Sequence, residues 1–458
     1  MQPRHAPKPS VPPWEALGAR LRAAGPDHVA ILKGMVTVAG FVFIGKLVSA
    51  GKEMAVAYRY GVGPEVDAYQ LLYTVISWPI GVWSSVLTAV LVPLAMRLRD
   101  QQGQLARFRS ELLGLAILAG IALAGLAWLV MHTLLRLGHS GLPARSAGLA
   151  EAALPGLVLL LPLGMLTALQ SAWMLAAGRH LNSLLECIPT LSIATLVMAV
   201  PGGGIRPLVW GTVAGAAFHL LSLVTPAARR GDLAAPRIAL ASPHWPWFWQ
   251  GFGIMLAGQA LMSLTVVIDQ FYAVGLGTGA IAMLGYANRV LSLILGLAAI
   301  AVSRATLPIF AQVQAQGGTH LRAVARRWTS LLFALGVLAA AVGYAAAPSI
   351  VRLLFERGQF GPADTASVAQ VLRYGLPQMP FYFASMVLVS YALSQRRYGL
   401  VFCSGLIGCA GKIAGNLLLV PALGVNGIAL GTMLVYASNA LFFWVTLAAR
   451  APRQGRAA

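Results

Sequence analysis

The sequence predicts an all-α integral membrane protein of about twelve transmembrane helices, built as two parallel six-helix repeats around a central cavity. Three observations predict it. Of 458 residues, 58% are hydrophobic and only 10% charged, whereas a soluble domain carries roughly 25% charged residues to hydrate its surface. Apolar runs of about 20 residues, the length a helix needs to cross the hydrocarbon core, recur along the chain. The same glycine and proline punctuation also appears twice in register. Soluble enzymes, nucleic-acid-binding domains and disordered scaffolds are excluded by composition alone.

In chain order the spans fall at 30–58, 66–96, 110–136, 149–178, 182–200, 206–227, 247–275, 280–313, 328–350, 366–394, 399–420 and 424–448. The first two are long enough to tilt or bend. Residues 1–29 are Pro-rich and basic with no apolar signal-peptide core, and read as a cytoplasmic leader. The polar stretch 229–245 separates an N-terminal bundle (30–228) from a C-terminal one (246–448), and 449–458 form a tail. Gly61 and Gly63 match Gly275 and Gly277, and Gly81 and Pro93 match Gly296 and Pro308 with the same spacing of twelve. Val200-Pro201 before Gly211-Thr212 matches Val420-Pro421 before Gly431-Thr432. Six helices per half make the two repeats enter from the same side, with a site expected between them near the midplane. The 49 glycines fit close helix packing in lipid, where no hydrophobic drive acts between helices.

The charge balance is 33 Lys+Arg against 13 Asp+Glu, net +20. Twenty of the cations fall on one side of the predicted spans, in the leader, the even-numbered connections and the tail; six (Arg59, Arg136, Arg145, Arg206, Arg352, Arg357) fall on the other. The positive-inside rule then puts both termini in the cytoplasm, and the basicity serves topology and anionic headgroups. No nucleic-acid partner is needed. Cys187, Cys403 and Cys409 lie in spans without metal or redox spacing and read as small packing residues.

The ionisable residues left inside spans are expensive there and mark a pathway: Lys46, Lys52, Glu53, Asp269, Arg289, Arg373 and Lys412, with Asp67 at the outer start of the second span. Asp269 and Arg289 lie ten residues either side of Gly279, about 15 Å deep at 1.5 Å per residue, and are expected to meet at the midplane. Lys52 and Glu53 reach the same depth in the other half, and Lys46 shares the Glu53 face. Net positive charge in a desolvated cavity suits an anionic diphosphate. The alternative is a pair of internal salt bridges, Lys46–Glu53 and Asp269–Arg289, leaving Lys52 over. Arg304 reads as a snorkelling residue.

At these residues the chain resembles the MurJ/MviN lipid II flippases of the MOP transporter superfamily, over roughly 30–448. The best stretches are GKLVSAGKEMAVAYRYGVGPEVDAY (45–69), LGYANRVLSLILGLAAIAVSRATLPIFAQ (284–312), LLFERGQFGPADTASVAQVLRYGLP (353–377) and NLLLVPALGVNGIALGT (416–432). The family's Arg and Arg-Asp of the first helix fall on Lys46 and Lys52-Glu53, its turn and Asp on Gly61/Gly63 and Asp67, and its eighth-helix Arg on Arg289. The resemblance implies a MOP-type fold and outward translocation of a polyprenyl-diphosphate-linked sugar, with Lys46, Lys52 and Arg289 on the diphosphate. The chain departs from the pattern in having lysines for arginines, which lose the planar fork. Ile80 stands where a further Arg is usual, Asn288 and Ser292 where acids are usual, and twelve helices where fourteen are common. Other lipid-linked glycans therefore stay open as substrates.

Some members of that family hold Na⁺ on helices seven, eleven and twelve. The matching positions are Asp269, Lys412, Asn416 and Thr432; the Lys412 ammonium is expected to stand in for the ion, paired with Asp269, with no cofactor bound, and the alternative is that Lys412 only bridges helices. The chain is expected to act as a monomer among membrane lipids. Competing functions are a MATE-like drug antiporter, disfavoured by a cationic cavity, a membrane enzyme, for which no nucleophile–base or metal spacing is seen, and a scaffolding paralogue.

Overall fold

The computed structural model describes residues 26–98, 102–179, 182–230, 233–296, 321–395 and 397–449. The helices are α1 (Pro26–Tyr60), α2 (Pro64–Arg97), α3 (Gln102–Arg136), α4 (Ala144–Leu157 continued by Leu160–Ala176), α5 (Cys187–Ala199, after a single turn Asn182–Leu185) and α6 (Arg206–Arg229). The second half has α7 (Trp245–Val274), α8 (Ala280–Gly296), α9 (Leu321–Phe355), α10 (Pro362–Gly375 continued by Gln378–Ser394), α11 (Tyr398–Leu423) and α12 (Val425–Ala449). Over the described residues, each of the twelve predicted spans falls on helix. Among the described residues seven are long and apolar enough to cross a bilayer singly, and α4 does so as a pair bent by 46°. The leader to residue 25, the second half of the eighth span with Arg304 and Pro308, and the tail from residue 450 lie outside the described residues.

The spans predicted at 149–178 and 366–394 are not continuous, and proline explains why. Pro162 and Pro380 each lack the N–H that would bond the carbonyl four residues back, at Val158 and Leu376. Both breaks close with the same pattern: Val158 N bonds Leu154 O and Leu161 N bonds Val158 O, while Leu376 N bonds Leu372 O and Met379 N bonds Leu376 O. Each proline is packed against a glycine of the preceding helix, where a Cβ on Gly120 would come 2.7 Å from Pro162 Cα and one on Gly336 2.6 Å from Pro380 Cα.

The two halves also share a neighbour scheme. The first helix packs on the fifth (α1 on α5, α7 on α11), the third on the fourth, the fourth on the sixth and the fifth on the sixth. Glycine makes the last contact possible in both: a Cβ on Gly211 would meet Ile193 Cα at 2.9 Å, and one on Gly415 would meet Gly431 Cα at 3.1 Å. Two faces follow. The turn face carries the connections after α1, α3, α5, α7, α9 and α11; the linker face carries the others, including the extended segment 233–241.

The linker is strapped to α3. Ser110 Oγ donates to Ala235 O, Arg237 N donates to Ser110 O at 3.0 Å, and Glu111 accepts Ser242 N at 3.0 Å and Trp245 Nε1 at 2.6 Å. The first turns of α7 thereby pack on the N-terminal half through Phe108, Trp83 and the aromatic run Trp245, Phe248 and Phe252.

Candidate functional site

The halves meet first at the turn face. Gly61 adopts φ +55°, and its α-hydrogen side faces Gln359 O so closely that a Cβ would sit 2.6 Å away. This lets the α1–α2 turn dock on the α9–α10 turn, where Gln359 N donates to Tyr58 O at 2.8 Å. Tyr286 of α8 donates to Gly61 O at 3.1 Å. Asp67, 1% exposed, accepts the backbone N–H groups of Gly279 and Ala282, the latter at 2.8 Å. A carboxylate from one half thus caps the first helical N–H groups of a helix in the other, where the helix dipole favours negative charge. Asp67, expected among the substrate contacts, has each of its two oxygens bonded to the start of α8 in this structure.

Deeper, α1 and α8 bring Lys52, Glu53 and Arg289 together. Glu53 Oε1 lies 2.6 Å from Lys52 Nζ and 2.9 Å from Arg289 Nε, and the second of these ion pairs joins the two halves. Lys46 lies about two turns from Glu53 along α1, half-buried beside Gly296. Lys46, Ser49, Glu53, Arg289 and Ser292 line a cavity of about 90 Å³. Tyr69 and Tyr73 of α2 lie within electrostatic range of Arg289 and Glu53. Their rings stack at 5.6 Å, and Tyr69 is anchored by a 2.9 Å bond between its hydroxyl and Thr212 Oγ1. Sequence reasoning missed these tyrosines; their spacing of four on a polar-facing stretch of α2 was the available signal. Neither predicted salt bridge forms. Arg289 pairs with Glu53 rather than Asp269, since both midplane groups sit on helices facing different neighbours. Lys52, not Lys46, is the lysine that pairs, and Lys46 makes no ion pair among the described residues.

A second charged cluster lies wholly within the C-terminal half. Lys412 is 1% exposed. Its ammonium lies 2.8 Å from Asp269 Oδ1 and donates to Thr432 Oγ1 at 2.6 Å and Ile428 O at 3.1 Å, which uses all three of its donors. Asn416 Nδ2 adds a bond to Asp269 Oδ1 at 3.2 Å. The structure therefore brings Asp269, Lys412, Asn416 and Thr432 together from α7, α11 and α12. The close α11–α12 approach at Gly415 and Gly431 positions them.

Arg373, left over by the sequence, bonds Tyr344 O at 3.1 Å and stacks on that ring at 5.0 Å, away from the cavity. Cys187 and Cys409 are buried, whereas Cys403 is exposed, contrary to a packing role for all three. No group of three or more potential metal ligands occurs among the described residues.

Comparison with known proteins gives a consistent picture. The family model described as "Lipid II flippase MurJ" matches residues 55–457. A Helicobacter pylori (strain J99) protein named "Probable lipid II flippase MurJ" is 34% identical over 203 residues, which are 43% of this chain and 42% of that protein. The chain thus spans about two-fifths of that relative's length in the match. Among solved structures, a lipid II flippase MurJ in an inward closed conformation superposes with TM-score 0.79 at 18% identity, over 90% of this chain and 87% of that one. An inward-facing MATE-family multidrug resistance transporter of the MOP superfamily gives 0.68 at 14% identity, over 88% and 94%. These two likenesses establish the fold.

Proposed function

We propose, from the premise that this chain belongs to the lipid II flippase MurJ family, that it moves a polyprenyl-diphosphate-linked sugar precursor of the lipid II kind from the cytoplasmic to the outer leaflet. The observation that carries the proposal is the cavity lined by Lys46, Glu53 and Arg289, whose one carboxylate, Glu53, is paired with Arg289 across the halves and with the adjacent Lys52. A diphosphate entering there competes with Glu53 for Lys52 and Arg289, and meets Lys46 without having to displace a partner. Charge-assisted bonds of this kind are each worth about 1.5–3 kcal/mol. The same cationic lining disfavours a cationic drug as cargo.

In this reading the linker face, where the basic residues concentrate, is cytoplasmic, with both termini on that side. The halves 30–228 and 246–448 rock as units about the cavity, and the chain works as a monomer. The Asp67 cap and the Tyr286–Gly61 bond hold the outer side shut until the substrate draws Arg289 from Glu53. Lys412 serves as a tethered cation in place of Na⁺. The space between Asp269, Thr432 and Ile428 O is filled by the ammonium, so the residues present do not fit a bound Na⁺ and no transport step is routed through one. Saturable stimulation of wild-type transport by Na⁺ would sink that part of the reading.

The test of the whole is complementation of a strain conditionally depleted of its lipid II flippase. The wild type is expected to rescue growth, and Lys52→Ala and Arg289→Ala to fail while still reaching the membrane. Equal rescue by all three overturns the diphosphate assignment. Failure of the wild type itself points to another lipid-linked glycan.

A further inference from the structure

The extended linker carries apolar side chains that the described residues leave uncovered. Ile238 and Leu240 are 79% and 60% exposed, although the backbone beside them is held in place. Ser110 Oγ donates to Ala235 O, Arg237 N donates to Ser110 O at 3.0 Å, and a Cβ on Gly114 would meet Arg237 C at 2.7 Å. By Ser242 the chain has returned to Glu111, whose carboxylate accepts Ser242 N at 3.0 Å. The linker therefore runs along α3 from Ser110 to the level of Gly114 and back, an excursion of about 6 Å at 1.5 Å per residue. Ile238 and Leu240 sit at its far end, and because alternate residues of an extended chain share a side, they point together.

The level of that excursion in the bilayer follows from α3. Arg107, Arg109 and Glu111 are followed, from Leu112 to Met131, by a stretch with no polar side chain, about the 20 residues that cross the hydrocarbon core. Gly114 thus lies just inside the apolar stretch. Ser110, Gly114, Leu118 and Ile121 recur at i, i+4, i+8 and i+11, which puts them on one stripe of the helix. The linker lies over the first two, and Leu118 and Ile121, 43% and 58% exposed, continue the stripe into lipid. Arg229, Arg230 and Arg237 are exposed around the linker, and Trp247 and Trp249 follow at the start of α7, the pairing of cations and aromatic rings that marks the headgroup layer. We propose that the linker is an interfacial lipid-binding strap, with Ile238 and Leu240 inserted among the acyl chains of the linker-face leaflet and Arg237 among its headgroups. At this level the backbone stays in the hydrated layer, where its unpaired polar groups are solvated, and only apolar side chains reach about 5–10 Å into the headgroup–acyl boundary. Through Glu111, which also accepts Trp245 Nε1 at 2.6 Å, the strap ties the start of α7 to the depth of that leaflet. The inference does not depend on the transported substrate.

The experiment uses the full chain, free of native cysteines, in nanodiscs of phosphatidylcholine with a minor fraction of phosphatidylglycerol. Ile238→Cys, Leu240→Cys, Leu118→Cys and Ala106→Cys are each labelled with bimane. Leu118 stands for the lipid-facing helix, and Ala106, exposed about two turns before Gly114, stands for water. Lipid brominated on its acyl chains is expected to quench bimane at 238 and 240 as strongly as at 118, and aqueous iodide as weakly, with the reverse at 106. Emission at 238 and 240 should be blue-shifted relative to 106, as at 118. Quenching at 238 and 240 that follows the pattern at 106 overturns the proposal. Shielding from both quenchers places protein, from this chain or a partner, over the linker and overturns it equally. All four labelled positions are exposed, so each variant is expected to melt at the temperature of the unlabelled protein, which establishes that it is folded.

Discussion

Lys412 and Lys46 carry the same charge into the membrane and meet opposite fates. Lys412 is enclosed by Asp269, Thr432 and Ile428 O, whereas Lys46 opens onto the cavity. Removing one partner of a buried pair leaves the other charge uncompensated, at a cost of about 3–5 kcal/mol. Lys412→Ala is therefore expected to lower the unfolding temperature strongly, and Lys412→Ala/Asp269→Ala to recover most of it. Because Lys412→Ala leaves Asp269, Thr432 and Ile428 O facing a vacated space, added NaCl should restore its unfolding temperature more than choline chloride does. Equal effects of the two salts would remove the tethered-cation reading. At Lys46 the opposite is expected. Lys46→Ala should leave the stability within about 0.5 kcal/mol of wild type, as a substitution that breaks no pairing does, with little change in unfolding temperature, yet impair rescue of the flippase-depleted strain. The identities of these residues were legible in the sequence as charges without a topological role. Their pairing was not, because which of Glu53 and Asp269 faces Arg289 depends on helix rotation, which spacing along one helix does not define.

At the scale of elements, the seal at the turn face and the broken helices make separate demands. Asp67 holds α8 by its first N–H groups, an interaction worth up to about 2 kcal/mol where partly buried. Asp67→Asn keeps the shape and removes the charge. It should raise labelling of a cysteine placed at Ser49, in a background free of native cysteines, by a membrane-impermeant maleimide added from the outer side. An unchanged rate would mean that the cap does not hold the gate. Gly336 packs on Pro380 with no room for a Cβ, so Gly336→Val must push the two halves of α10 away from α9. Overpacking of this kind costs about 1–3 kcal/mol, and a lower unfolding temperature together with reduced membrane yield is the expected outcome. The repeat was visible in the sequence through Gly61/Gly275 and Gly211/Gly431. The matched breaks at Pro162 and Pro380 were readable too, but apolar periodicity runs straight through them, so the spans looked continuous.

For the whole molecule, the question is how much of the +20 charge belongs to function. The sequence by itself determined the membrane class, the twelve helices and the twofold repeat. These follow from hydrophobic length and from backbone hydrogen bonding, which in lipid must be satisfied inside each helix, and so are local properties of the chain. It also singled out the charged positions, because a charge in an apolar run is conspicuous wherever the run folds. Only the tertiary structure decided that Glu53 bridges Lys52 and Arg289 across the halves, that Asp67 caps α8, that Lys412 is enclosed with Asp269, and that the linker lies along α3 as far as Gly114. Each of these joins residues distant in sequence, and their meeting is set by helix rotation and close packing at glycines rather than by any pattern along the chain.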